Sequence, residues 1–212
     1  MNRLRAFFAI AALTAALAPL QAQVGKSVGL LDANRATEQE LTSVPHMNAM
    51  LVKAILDKRP FTNVTELAAV LTPALSKPEL TEVYGKLFVH VNLNTATDDE
   101  LLGIPAAQPN RILREFKEYR PYKNLSVFHR EMRKYWDETE VARLEQYVFV
   151  PINLNTATDE ELLSIPAAQP NRILREFKEY RPYTSMEQFH KEMRKYWDEK
   201  EVNRLQRYVT LN

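Results

Sequence analysis

Residues 91–151 and 152–212 carry the same amino acid at 45 of 61 aligned positions, and 104–122 and 165–183 both read IPAAQPNRILREFKEYRPY. A unit duplicated this closely must fold in a form that can sit beside itself. An older copy precedes the pair. DANRATEQELTSVP (32–45) aligns with NLNTATDDELLGIP (92–105), and KRPF (58–61) with YRPY (119–122). Three tandem copies are therefore expected, at 23–90, 91–151 and 152–212. A period of about 60 residues exceeds the roughly 20–50 of solenoid repeats, so each copy is expected to be a small domain of its own.

Local signals within a copy point to helices. Thr97 followed by Asp98-Asp99-Glu100 is a capping box, in which the Thr hydroxyl takes an early backbone N–H and Glu100 reaches back. Thr37 with Glu40 and Thr158 with Glu161 repeat it. Pro105 ends that short helix by disfavouring helical dihedrals at Ile104. Over Asn110–Tyr119, Ile112, Leu113, Phe116 and Tyr119 recur at helical spacing, with Arg111, Arg114, Lys117 and Glu118 turned away. NLSVFHREMRKYW then runs into a second box, Asp137 with Glu140, and a last helix over EVARLEQYV. Only the apolar joints Leu87–Val91 and Val148–Ile152 read as strand. The expected class is all-α, with about four helices per copy.

The first residues read MNRLR, AFFAIAALTAALAPL and QAQ. Basic start, apolar run and small residue form the pattern of a signal peptide over residues 1–22. The run is shorter than the ~20 residues of a spanning helix, and no second one follows, so no transmembrane span is expected in the mature chain. There is no cysteine, hence neither a disulfide nor a lipobox anchor. The expectation is an exported protein, periplasmic or secreted, beginning near Gln23. Lys+Arg against Asp+Glu is 7 to 7, 9 to 10 and 10 to 10 across the three copies, so none carries an overall basic footprint.

The start of each copy resembles the helix-hairpin-helix domain of ComEA-type competence DNA receptors. Asn92, Asn94, Thr95, Ala96, Glu100, Leu101, Pro105, Pro109 and Arg111 fit that pattern, as do Asn153, Asn155, Thr156, Ala157, Glu161, Leu162, Pro166, Pro170 and Arg172. The resemblance implies tandem helix-hairpin-helix repeats and binding to the backbone of double-stranded DNA without sequence preference. It fails at the hairpin, where the family's Gly-hydrophobic-Gly is replaced by Ala106-Ala107-Gln108, Ala167-Ala168-Gln169 and, in copy 1, His46-Met47-Asn48. A residue other than glycine at positive φ costs roughly 1–2 kcal/mol, and its side chain obstructs an approaching phosphate, so a different hairpin shape is expected.

The candidate DNA contacts are Arg111, Arg114 and Lys117 with Gln108, and Arg172, Arg175 and Lys178 with Gln169. Against them stands a solvated helix face in which Arg111–Glu115 and Arg114–Glu118 pair at i,i+4. Tyr135-Trp136 and Tyr196-Trp197, flanked by Arg133-Lys134 and Arg194-Lys195, could stack bases. Adjacent helical side chains diverge by about 100°, which sends one aromatic of each pair to the core. His129-x-Glu131 and His190-x-Glu192 have no cysteines to complete a zinc site, and no P-loop, nucleophile elbow or glycine-rich loop occurs. The reading is therefore a protein without enzymatic activity, cofactor, metal or small-molecule substrate. Its partner is duplex DNA or, alternatively, an envelope protein for which the chain is an assembly scaffold.

The joints carry one further signal. Phe88 and Phe149 occupy the position held by Thr210 in the last copy. A phenylalanine where another copy follows, and a hydroxyl where none does, predicts rings buried against the next copy and a semi-rigid array.

Overall fold

The structure, a computed structural model, describes residues 24–25 and 28–212; the leader expected over 1–22 lies outside them. Copy 1 runs β1 (Leu31–Asp32), α1 (Glu38–Thr42), α2 (Ala49–Lys58), α3 (Val64–Leu71), α4 (Lys77–Tyr84) and β2 (Leu87–Phe88). Copy 2 repeats the order with β3 (Val91–Asn92), α5 (Asp98–Leu102), α6 (Pro109–Glu118), α7 (Leu125–Met132), α8 (Glu138–Glu145) and β4 (Val148–Phe149). Copy 3 follows with β5 (Ile152–Asn153), α9 (Asp159–Leu163), α10 (Pro170–Glu179), α11 (Met186–Met193), α12 (Glu199–Gln206) and β6 (Val209–Thr210). The protein is mostly helical, and no described helix is long and apolar enough to cross a membrane.

The first and last strands of each copy pair in parallel: β1 with β2, β3 with β4, β5 with β6. The apolar joints therefore clip each copy's ends together. Val24 adds an antiparallel bridge to Phe149, so the start of copy 1 seats on copy 2.

Capping holds the short first helices. Thr97 Oγ1 accepts from Glu100 N–H (3.3 Å), Thr97 N–H donates to Glu100 Oε2 (2.7 Å), and copies 1 and 3 repeat both bonds. The second box forms by half. Asp137 accepts from Glu140 N–H (2.8 Å), but the Glu140 carboxylate takes Arg143 instead of turning back (2.7 Å). A guanidinium one turn along is a stronger donor than a neutral backbone N–H, and Glu201 makes the same choice with Arg204 (2.8 Å).

A second device spans each copy. Asn94 Nδ2 donates to Tyr122 O (2.9 Å) and its Oδ1 accepts from Tyr122 N–H (2.7 Å), clamping both peptide groups of the residue after the Arg-Pro pair. Asn34 holds Phe61 and Asn155 holds Tyr183 in the same way. Arg120 closes the loop from the other side by donating to Ala96 O (2.8 Å). The asparagines and the Arg-Pro-aromatic triplet that carry the family resemblance are thus part of the frame.

Phe116, Phe128, Tyr122 and Trp136 form the edge-to-face centre of copy 2, and Phe177, Phe189, Tyr183 and Trp197 that of copy 3. Between copies, the buried Phe88 ring meets Tyr147 of copy 2 at 4.9 Å, and Phe149 meets Tyr208 of copy 3 at 4.6 Å. Copy 3 also reaches copy 1, where Arg207 donates to His90 O (2.9 Å) and Phe61 O (3.4 Å). The array is closed between its first and last members.

Candidate nucleic-acid interface

Gln108 and Arg111, like Gln169 and Arg172, lie where a short helix turns into the next, while Arg114 and Arg175 are mid-helix and Lys117 and Lys178 are in the last helical turn. In copy 2 the chain leaves α5 at Gly103 and enters α6 at Pro109, with Gln108 as an N-cap whose side chain makes no capping bond. Neither 106–108 nor 167–169 contains a residue at positive φ, whereas His46 in copy 1 sits at φ 63. The alanine turns of copies 2 and 3 therefore avoid the left-handed region, and copy 1 retains it on a histidine. That ring is held by Glu82 (2.9 Å) and Glu79 (3.6 Å), contacts that help offset the backbone cost.

The cations behind the turn fall into two groups. Arg114 donates through Nε and Nη2 to Glu115 Oε1 (2.9 and 2.5 Å), and Arg175 does the same to Glu176. The anticipated i,i+4 partners are thus replaced by the adjacent glutamate, which faces inward. Burial pushes the Glu115 carboxyl up, but hydrogen bonds from Arg114 and Tyr135 outweigh it and hold the group below the ordinary carboxylate range. Lys117 is drawn back to Asp98 on α5 (2.7 Å) and Lys178 to Asp159 on α9 (2.6 Å).

Arg111 and Arg172 form the second group. Neither has a carboxylate at ion-pair distance among the described residues. The Arg111 guanidinium lies 5.2 Å from the centroid of Tyr135 and 5.4 Å from that of Trp136, and donates to Gln108 Oε1 (3.3 Å). Arg172 repeats this over Tyr196 and Trp197, with Gln169 (3.4 Å). In each copy the Nε is buried without a partner. Tyr135 bonds Tyr119 through its hydroxyl (2.7 Å), while Trp136 joins the core through Phe116. The aromatic pair serves as a shelf for arginine, with its tryptophan half-buried against the core.

No family model, curated protein or solved structure matches the chain.

The remaining charged groups at the second turn are spoken for. Arg133 bonds Glu138 (2.7 Å), and Lys134 pairs with Glu131 while lying over Tyr119. His129 spans Glu145 (2.8 Å) and Glu138 (3.0 Å), closing α7 on α8, and His190 bonds Asn203 (3.3 Å). One residue escapes the sequence reading. Arg35 of copy 1 lines a 240 Å³ cavity together with Ala167, Ala168, Gln169 and Arg172 of copy 3. The available signal was that copies 2 and 3 carry Thr95 and Thr156 at the aligned position.

Proposed function

We propose that this is an exported, non-catalytic protein of tandem helix-hairpin-helix repeats that binds the backbone of duplex DNA without reading its sequence. The observation that carries the reading is the pair of stations at Arg111 and Arg172. Each guanidinium is at the start of the helix after the turn, is oriented by a Tyr-Trp shelf, and lacks an intramolecular carboxylate partner among the described residues. A guanidinium stacked on an aromatic face keeps its fork available for a phosphate, and such contacts are independent of base identity. Export rests on the pattern of residues 1–22.

Binding of this kind is weak and steep in salt. Each phosphate contact contributes about −0.9 to the slope of log K against log salt, so two stations give roughly −2. Mobility shift with a duplex at low and moderate salt tests this. A shift lost in the Arg111→Ala, Arg172→Ala double variant and kept in Arg114→Ala supports the assignment.

A second reading is favoured by the other cations. Arg114, Lys117, Arg175 and Lys178 all hold carboxylates of the same molecule, as expected of an envelope scaffold whose helix faces no longer serve a polyanion. Absence of any shift at low salt selects that reading.

A further inference from the structure

The seam between copies 1 and 3 is unusually rich in positive charge. Arg35, Arg172, Arg204 and Arg207 converge there against Asp32 and Glu201, an excess of four guanidiniums over two carboxylates. Glu201 is bidentate to Arg204 (2.8 and 2.7 Å), while Asp32 accepts from Asn34 N–H through Oδ1 (2.8 Å) and keeps Oδ2 buried without a hydrogen bond, away from the cavity walls. His90 lies 3.8 Å from Asp32 and supplies no negative charge.

Of these groups, Arg35, Arg172 and Glu201 line the 240 Å³ cavity. Its walls are Arg35 from copy 1 and the turn Ala167–Gln169, Arg172 and Trp197 from copy 3. Arg35 makes no side-chain hydrogen bond or ion pair among the described residues, and Arg172 Nε is buried without a partner. The first turn of α10 adds to this: it contains no acid, and Gln169 provides no side-chain cap. Pro170 has no N–H, and those of Arg172 and Ile173 are taken by Gln169 O (3.0 and 3.2 Å), so the helix start contributes the positive end of its dipole and not a set of free donors. Two guanidiniums, an uncapped ten-residue helix and a cavity with its one carboxylate committed elsewhere together describe a receptacle for an oxyanion.

We propose that this seam cavity is an anion site that takes one phosphate group between Arg35 and Arg172. It shares Arg172 with the second station above, but it occurs once per molecule and needs residues from two copies. It does not depend on the DNA reading, since the group could be a free phosphate or one from a nucleic-acid backbone. By linking Arg35 to Arg172, its occupation draws copy 3 against copy 1.

Titration with inorganic phosphate at constant ionic strength, against chloride, tests the site by calorimetry and by ³¹P line broadening. The expected result is saturable binding of one phosphate per chain, weakened at least about tenfold in Arg35→Thr. Threonine is the residue that the other copies tolerate here, and an unchanged melting temperature in chloride will establish that the variant is folded. Absence of saturable binding, a stoichiometry above one, or equal affinity in folded Arg35→Thr overturns the proposal. A competing arm adds a short duplex: displacement of bound phosphate identifies a DNA phosphate as the occupant, and no displacement identifies a free one. Because the arms read phosphate, a mobility shift that fails leaves this result standing, and the reverse.

Discussion

Replacing Phe149 by alanine probes the joint between copies 2 and 3. The ring is 1% exposed and lies 4.6 Å from Tyr208, with the Arg207 guanidinium 5.7 Å from its centroid. Val24 bridges its backbone from a third segment. Truncation of a buried phenylalanine costs about 3–5 kcal/mol, the upper end applying where the walls cannot collapse. Here Tyr208 is tied through its own carbonyl to Ile152 (2.8 Å), and Arg207 is tied to copy 1, so the cavity persists and about 4 kcal/mol is expected. At about 2–4 °C per kcal/mol for a chain of this size, the melting temperature should fall by about 8–16 °C. Trp136 reports copy 2 and Trp197 reports copy 3, so single-tryptophan backgrounds follow each copy through a urea titration. The two transitions should coincide in the parent and separate in Phe149→Ala. A loss under about 1 kcal/mol with transitions still superimposed refutes the view that this ring couples the copies.

Acid should loosen the seam. Burial first, and then Arg207 and Arg204, hold His90 below its ordinary pKa against the opposing pull of Asp32. The unfolded chain therefore takes up a proton near pH 6.5 while the folded one resists, and stability falls as pH drops below about 6.5, by up to about 1.36 kcal/mol per unit. Urea midpoints between pH 8 and 5 check this; the slope should flatten in His90→Gln. Asn94→Ala should cost about 2–4 kcal/mol by chemical denaturation, since both peptide groups of buried Tyr122 lose their partner, while exposed Asn110→Ala stays within about 0.5 kcal/mol.

The parts legible in the sequence are those set by neighbours along the chain. Thr97 with Glu100, the proline that ends α5, and the apolar face of α6 each follow from spacings of three or four residues. The Phe88 and Phe149 positions were legible for another reason, because a near-identical copy supplied the control residue Thr210. The clamp from Asn94 to Tyr122 was not, since its partners are 28 residues apart and both look like ordinary loop positions. Ion pairing went astray because helix-surface spacing describes exposed side chains. Glu115 is buried, and from there the nearest guanidinium is that of Arg114. Contact between copies 1 and 3 has no local signal at all. It becomes readable only afterwards, as a set of places where the copies differ: Asp32 for Asn92 and Asn153, His90 for Pro151, Arg207 for Gln146.

Because each copy begins and ends on adjacent strands running in the same direction, the unit is transferable. A segment inserted after residue 151 would find its own ends already side by side, and recombination between the identical nineteen-residue stretches supplies a route for gaining or losing a copy in register. Closure opposes that freedom. An extra member placed between the second and third would carry Arg207 away from the carbonyls of His90 and Phe61, leaving those acceptors to water and dividing the arginine pair at Arg35. Growth between the second and third copies is thus permitted by the strands and penalised by the contacts of Arg207 with the first.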